Sequence, residues 1–264
     1  MRTVGVELDT TDQDVQSCIC AFLSRSISSG RMKYVNMVEP TAVSSHIFDV
    51  GANKGMFTRK ALERFPNCQY HLFEPVENLT RRVIREDPRV TMNYVGVSNK
   101  KADGVDFYLH EGYTASSFKK ATEAFRNLSP GEGELGTIKS ETIRIDDYCS
   151  ENDIAEIFIL KIDTEGMGLE ALEGAGSMLG KTQWVGIEFH TEPFYEGDEE
   201  GAITSILTER GFRRTVDVYS HYSSDDKLLN IDTLWENKRF TVVKNDFYHL
   251  DEENKIFRVL EPLD

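Results

Sequence analysis

The chain has 264 residues and a formal net charge of −15 at pH 7, with 39% hydrophobic and 28% charged residues. That size suits one large α/β domain with additions, or at most two small ones, and the composition excludes global disorder. The negative field argues against a nucleic-acid partner, whose capture needs phosphate neutralisation, and no run of about 18 apolar residues is present to cross a membrane.

The first residues are acidic and polar rather than signal-like, so a cytoplasmic location is expected. Residues 1–44 read as an N-terminal helical cap, with a helix over 15–27 that stops at Ser28-Ser29-Gly30. Residues 45–246 read as the main domain and 247–264 as a C-terminal tail. Within the domain, 46–50 is a first strand that runs into a glycine turn, and a helix follows over 54–64. A second strand covers 69–74, a helix 76–86 ends before Pro88, and a third strand covers 90–95. A strand at 105–109, a Ser-bearing loop at 112–117 and an insertion at 121–136 come next, then an edge strand at 142–145. Residues 157–163 are almost continuously apolar, which marks a central parallel strand buried on both faces. A short helix (169–172) stops near Gly174. A strand over 184–189 leads to His190, and a helix covers 201–209. A closing hairpin is expected from 213–219 and 239–243, joined by a long polar loop over 221–238. The fold class is therefore α/β: a Rossmann-like, doubly wound, mostly parallel sheet with a C-terminal antiparallel hairpin.

The cysteines (Cys18, Cys20, Cys68, Cys149) form no CxxC pair and read as reduced structural thiols, and the histidines show no metal-ligand spacing. The basic clusters Arg81-Arg82 with Arg85, Lys119-Lys120 and Arg213-Arg214 read as solvated faces rather than a binding groove.

Chemistry belongs at the carboxyl ends of the strands. Asp49-Val50-Gly51-Ala52-Asn53-Lys54-Gly55 is a strand, tight turn and helix start. Glu74, about 20 residues on, ends the next strand where an acid can accept hydrogen bonds from ribose hydroxyls. Two glycines rather than the three of a dinucleotide fingerprint favour an adenosine without a pyrophosphate, so Asp49, Gly51, Gly55 and Glu74 together point to S-adenosylmethionine rather than NAD. Lys161, Asp163 and Glu165 share one face of the central strand end, and Glu188 and His190 share a face on the next. Like charges crowded at one sheet end serve stability poorly, which makes the cluster a candidate active site.

These residues carry a resemblance. The glycine turn, Phe73-Glu74-Pro75, Ile145-Asp146-Asp147-Tyr148, Leu160-Lys161-Ile162-Asp163-Thr164-Glu165-Gly166 and Leu172-Glu173-Gly174-Ala175 are similar to FkbM-type methyltransferases over about residues 45–190, the Lys-Ile-Asp-x-Glu-Gly segment being the most specific. The resemblance implies a class I, S-adenosylmethionine-dependent enzyme, usually an O-methyltransferase. It places Gly51, Asn53 and Gly55 on the methionine side of the cofactor and Glu74 on the ribose. It sets Asn78 and Gly96-Val97-Ser98 beside ribose and adenine, Ser116 and Ser117 near the substrate, and Asp163 and Glu165 toward the methyl group. One departure is Gly168, where the family commonly has an acid.

The expected function is O-methylation of a hydroxyl on a sugar or other small molecule. Lys161, Asp163, Glu165 and His190 are the catalytic candidates, and Asp49, Gly51, Asn53, Gly55, Glu74, Asn78, Val97 and Asp163 the cofactor-binding ones. Among these, His190, Asp163 or Glu165 would serve as base, and Lys161 would orient an acid or stabilise an oxyanion. A divalent cation on Asp163, Glu165 and Glu188 is an alternative way to acidify the hydroxyl, but no metal is expected. The rival readings are an NAD(P)-dependent oxidoreductase on the same architecture and a non-catalytic cofactor-binding protein.

Overall fold

The computed structural model describes residues 45–129, 131–196, 200–219, 228–240 and 257–259. The expected N-terminal cap lies outside them. Strands β1 (His46–Val50) and β7 (Ile157–Ile162) are neighbours in the interior of an eight-stranded sheet among the described residues, and every residue of β7 is buried. With β2 (Gln69–Phe73), β3 (Val90–Asn93) and β8 (Thr182–His190), they make the parallel block β3-β2-β1-β7-β8. The sheet continues through β10 (Asn230–Asn237), β9 (Phe212–Tyr219) and β11 (Phe257–Val259), each antiparallel to its neighbour. Such an order places the ends of β1, β2, β7 and β8 along one rim, where the chain crosses from one face of the sheet to the other.

Two apolar layers cover the sheet. On one side, α1 (Met56–Arg64) buries Phe57 and Ala61 against Ile47, Tyr70 and Leu72. Tyr70 closes this layer by donating its hydroxyl to the Phe65 carbonyl (2.7 Å), just past the helix end. On the other side, α4 (Ile145–Glu151), α5 (Gly168–Ala175) and α6 (Glu200–Glu209) pack on Phe48, Leu160, Val185 and Ile187. Burial of Cys68 and Cys149 raises their thiols to about 11 and about 12, consistent with inert, reduced side chains.

Several expected boundaries move. The helix expected over 76–86 contracts to α2 (Arg82–Arg85). Upstream of it the Val76 N–H turns back to Glu74 Oε1 (3.0 Å) and Asn78 is left-handed (φ 63°), so the chain spends 75–81 in turns. The third strand stops at Asn93, and Gly96–Val97 (β4) joins a separate three-stranded sheet with β5 (Ala102–His110) and β6 (Glu134–Ile143). The 121–136 insertion contains α3 (Glu123–Leu128), whose first turn is capped by the Thr122 hydroxyl accepting from Phe125 N–H (3.3 Å), and its end is already strand β6. Ile145, expected to close an edge strand, instead starts α4.

The largest correction is in the closing hairpin. Its second strand is Asn230–Asn237, inside the stretch expected to be a polar loop, and 239–240 form a turn; residues 241–243 lie outside the described residues. Residues 257–259, expected as part of a tail, pair with β9.

Candidate active site

The turn after β1 is locked to the end of β7. Gly51 has φ 73°, and a Cβ built on it would fall 1.8 Å from the Asp163 carbonyl oxygen, so only glycine lets the two chain segments meet. The Asp163 N–H donates to Val50 O (3.0 Å). Beneath this contact sits Lys161, whose side chain is 3% exposed. Its Nζ donates to Gly51 O (2.7 Å) and lies 3.0 Å from Asp49 Oδ1 and 3.3 Å from Asp163 Oδ2. Asp49 is fully buried, and its other oxygen accepts from the Thr58 hydroxyl (2.6 Å). Asp49 and Lys161 thus brace the rim from below.

A cavity of about 950 Å³ opens above the rim. That is room for a nucleoside-sized ligand and an acceptor together. Gly51, Asn53, Glu74 and Val97 line one end, and Asp163, Glu165, Glu188 and His190 the other. Glu74 is buried; its oxygens accept from the backbone N–H of Asn53 (2.9 Å) and of Val76 (3.0 Å). Burial raises its carboxyl, against the pull of those two N–H groups. Three of the sequence candidates do not line the cavity: Asp49, buried beneath the rim, Asn78 and Gly55. Asn78 is exposed, and its Oδ1 accepts from Arg85 (2.7 Å). Gly55 faces the other way: a Cβ there would press on Ile84 (2.7 Å) and Thr80 (2.9 Å).

At the far end the chain turns sharply through Glu165 (φ 50°) and Gly166 (φ 82°). Left-handed backbone is uncommon for a glutamate; the Ser117 hydroxyl holds it by donating to the Glu165 carbonyl (2.5 Å). Gly166 is pressed against Tyr195, where a Cβ would stand 2.4 Å from the Tyr195 Cβ. His190, the last residue of β8, has its Nε2 3.3 Å from Glu165 Oε2 and 3.6 Å from Glu188 Oε2. Its ring stacks near Phe194 and Tyr195, with centroids 5.3 and 5.4 Å away. These aromatics join Ala115, Phe125 and Leu229 in a small apolar cover over the acids. Burial, followed by the charges of Asp163 and Glu165, pushes the Glu188 carboxyl well above the usual range; His190 opposes this.

Asn230 and Asp232 were hidden in the sequence. Both line the cavity because β10 pairs Asn230 with His190 and Asp232 with Glu188, and Asn230 Nδ2 donates to Glu188 Oε1 (2.7 Å). The signal was the run Ile231-Asp232-Thr233-Leu234-Trp235, rich in strand-forming residues.

Most of the segment that builds this rim matches a known family. A profile of the Methyltransferase FkbM domain matches residues 49–214, more than half of the chain. The chain belongs to the FkbM methyltransferase family. A 2-O-methyltransferase NoeI from Sinorhizobium fredii (strain NBRC 101917 / NGR234) is 27% identical over 161 residues, which cover 57% of this chain and 65% of that protein. Among solved structures, a methyltransferase FkbM from Methylobacillus flagellatus KT matches with TM-score 0.44 and 16% identity, over 75% of this chain and 45% of its own. A precorrin-6y C5,15-methyltransferase from Geobacter metallireducens GS-15 matches with TM-score 0.42 and 12% identity, over 88% and 92%. In this FkbM family member the Lys119-Lys120 and Arg213-Arg214 clusters hold ion pairs: Lys119 pairs with Glu170 (2.8 Å), Arg213 with Glu236 (2.6 Å) and Arg214 with Glu200 (2.9 Å), and Arg81 of the third cluster lines the cavity. Among the described residues, no helix is long and apolar enough to cross a membrane.

Proposed function

We propose that this methyltransferase moves the methyl group of S-adenosylmethionine to a hydroxyl oxygen of a sugar or other small molecule. The observation that carries the reading is the single cavity that joins the glycine turn and Glu74 to the Asp163, Glu165 and His190 cluster. The residues fit the cofactor. Glu74 presents a buried carboxylate whose two backbone donors leave lone pairs for ribose hydroxyls. Asn53 and Gly51 border the same end, and Val97 supplies an apolar wall for a base. The resemblance of the name 2-O-methyltransferase supports oxygen as the atom methylated.

S-adenosylmethionine supplies an electrophilic sulfonium methyl, so the protein's work is alignment and removal of the hydroxyl proton. Asp163 and Glu165 enter the cavity from the end of β7, and His190 from the end of β8. The acceptor hydroxyl would lie against these groups and release its proton to Asp163, the more exposed carboxylate (26%). Lys161 acts here as a positioning residue, holding Asp163 and the turn carbonyl of Gly51 in one geometry. The apolar cover of Phe194 and Tyr195 excludes bulk water from the transfer. Replacing Asp163 with Asn tests the assignment: kcat for methyl transfer falls by about 10²-fold or more, while binding of S-adenosylhomocysteine is retained. Unchanged kcat in that variant would remove Asp163 from the mechanism.

A further inference from the structure

The acidic end of the cavity holds more than a base requires. Glu165, Glu188 and His190 bring one carboxylate oxygen each and an imidazole nitrogen to within 4.8 Å of one another. His190 Nε2 lies 3.3 Å from Glu165 Oε2 and 3.6 Å from Glu188 Oε2. Donor atoms that share a cation at ~2.1 Å stand roughly 3.0–3.4 Å apart, so the group needs little closure to become a coordination shell. The side chains of His190, Glu188 and Glu165 are 3%, 11% and 17% exposed, so this is not a solvated surface cluster.

Two further observations point into the same space. Glu188 Oε2 is buried and accepts no hydrogen bond among the described residues, although Asn230 fixes the other oxygen of that carboxylate at 2.7 Å. The donor therefore aims a bare oxygen at the histidine, as outer hydrogen bonds do for metal-ligating carboxylates. The charge is also lopsided. Asp232 lies opposite Glu188 on β10 and lines the same cavity, while Lys161, which shares that lining with Lys54 and Arg81, already serves Asp49 and Asp163. Glu165 and Glu188 set two carboxylates beside one imidazole in a poorly hydrated place, and a bound cation offsets the cost of crowding them there.

We propose that Glu165, Glu188 and His190 form a binding site for one divalent first-row cation, with Mn²⁺ the best match to two oxygens and one nitrogen. The mixed donor set suits Mn²⁺ or Zn²⁺ better than the all-oxygen shells of Mg²⁺ and Ca²⁺. The site's existence is independent of the methyltransferase reading; its role rests on that reading. In that role the cation draws the acceptor oxygen, favours loss of its proton to Asp163, and so assists formation of the O–CH₃ bond as the S–CH₃ bond breaks.

The test is Mn²⁺ binding to the full chain after chelator treatment, followed by the loss of the free-ion electron paramagnetic resonance signal, with Zn²⁺ and Mg²⁺ as competitors. One site per chain is expected, weakened at least about tenfold in Glu188→Gln and in Glu165→Gln. Asn230→Ala, which removes the bond aiming Glu188, is expected to weaken it about as much and serves if either glutamine variant fails to fold. Each variant is titrated in parallel with S-adenosylhomocysteine, whose binding should persist. Absence of binding by Mn²⁺, Zn²⁺ and Mg²⁺ at millimolar concentration, or binding equal in wild type and all variants, overturns the proposal. Binding of S-adenosylhomocysteine without any cation would sink the metal site and leave the methyltransferase reading intact. Cation binding without S-adenosylhomocysteine would do the reverse.

Discussion

Lys161 has the residue type of a catalytic group and the surroundings of a strut. Its ammonium satisfies one buried aspartate, one half-buried aspartate and a turn carbonyl, all within 3.3 Å. Removing the charge leaves Asp49 a buried carboxylate with no cation against it and, among the described residues, only the Thr58 hydroxyl as a donor. Lys161→Met should therefore cost about 3–5 kcal/mol of stability, read as a lower urea midpoint with an unchanged slope. A variant as stable as wild type would show that the pair is not braced as described. A second chain of buried polar groups runs from His46 Nδ1 to His71 Nε2 (2.9 Å) and from His71 Nδ1 to the Tyr148 hydroxyl (2.9 Å). Burial, helped by the neighbouring His46, lowers His71 from 6.5 to about 4. The folded state thus refuses a proton that the unfolded chain accepts below pH 6.5. His71 stabilises fully above that value, and its contribution is lost as pH falls from about 6.5 toward 4. The stability difference between wild type and His71→Phe should shrink across that window by on the order of 3 kcal/mol. A pH-independent difference would contradict a neutral, buried His71.

At the scale of elements, helix α5 shows how a motif glycine positions the site from a distance. A Cβ on Gly174 would stand 2.0 Å from the Ser98 carbonyl oxygen, just past Val97 on the cavity wall. Gly174→Val should destabilise the protein by about 1–3 kcal/mol through overpacking and weaken S-adenosylhomocysteine binding by shifting the 96–98 segment. Unaltered melting and binding would mean that the backbone yields there at no cost. The central strands were legible because a strand buried on both faces is a nearly unbroken apolar run, as in Ile157–Ile162. Strand β10 was not. Its cavity-facing residues Asn230 and Asp232 are polar because they line a site, so the stretch imitates a loop. The 76–86 segment misled in the opposite sense: its composition permits a helix, but Glu74 captures the Val76 N–H and turns the chain first.

Across the whole molecule, the sheet order gathers residues far apart in sequence onto one rim. Gly51, Glu74, Asp163 and Glu188, all of which line the cavity, could be placed on one rim from the sequence because each sits near or just past a strand end, and strand ends can be read from hydrophobic pattern. What sequence could not supply was direction. Asn78 and Gly55 have the right spacing and face away, while Tyr195 and Phe194 roof the acids without any motif of their own. The net charge of −15 fits this picture, since the cavity itself is rich in carboxylates. The most direct measurement is isothermal titration of the purified chain with S-adenosylhomocysteine. One molecule per chain should bind, with NADH giving no heat. Silence toward S-adenosylhomocysteine at millimolar concentration, or saturable binding of NADH, would contradict the account.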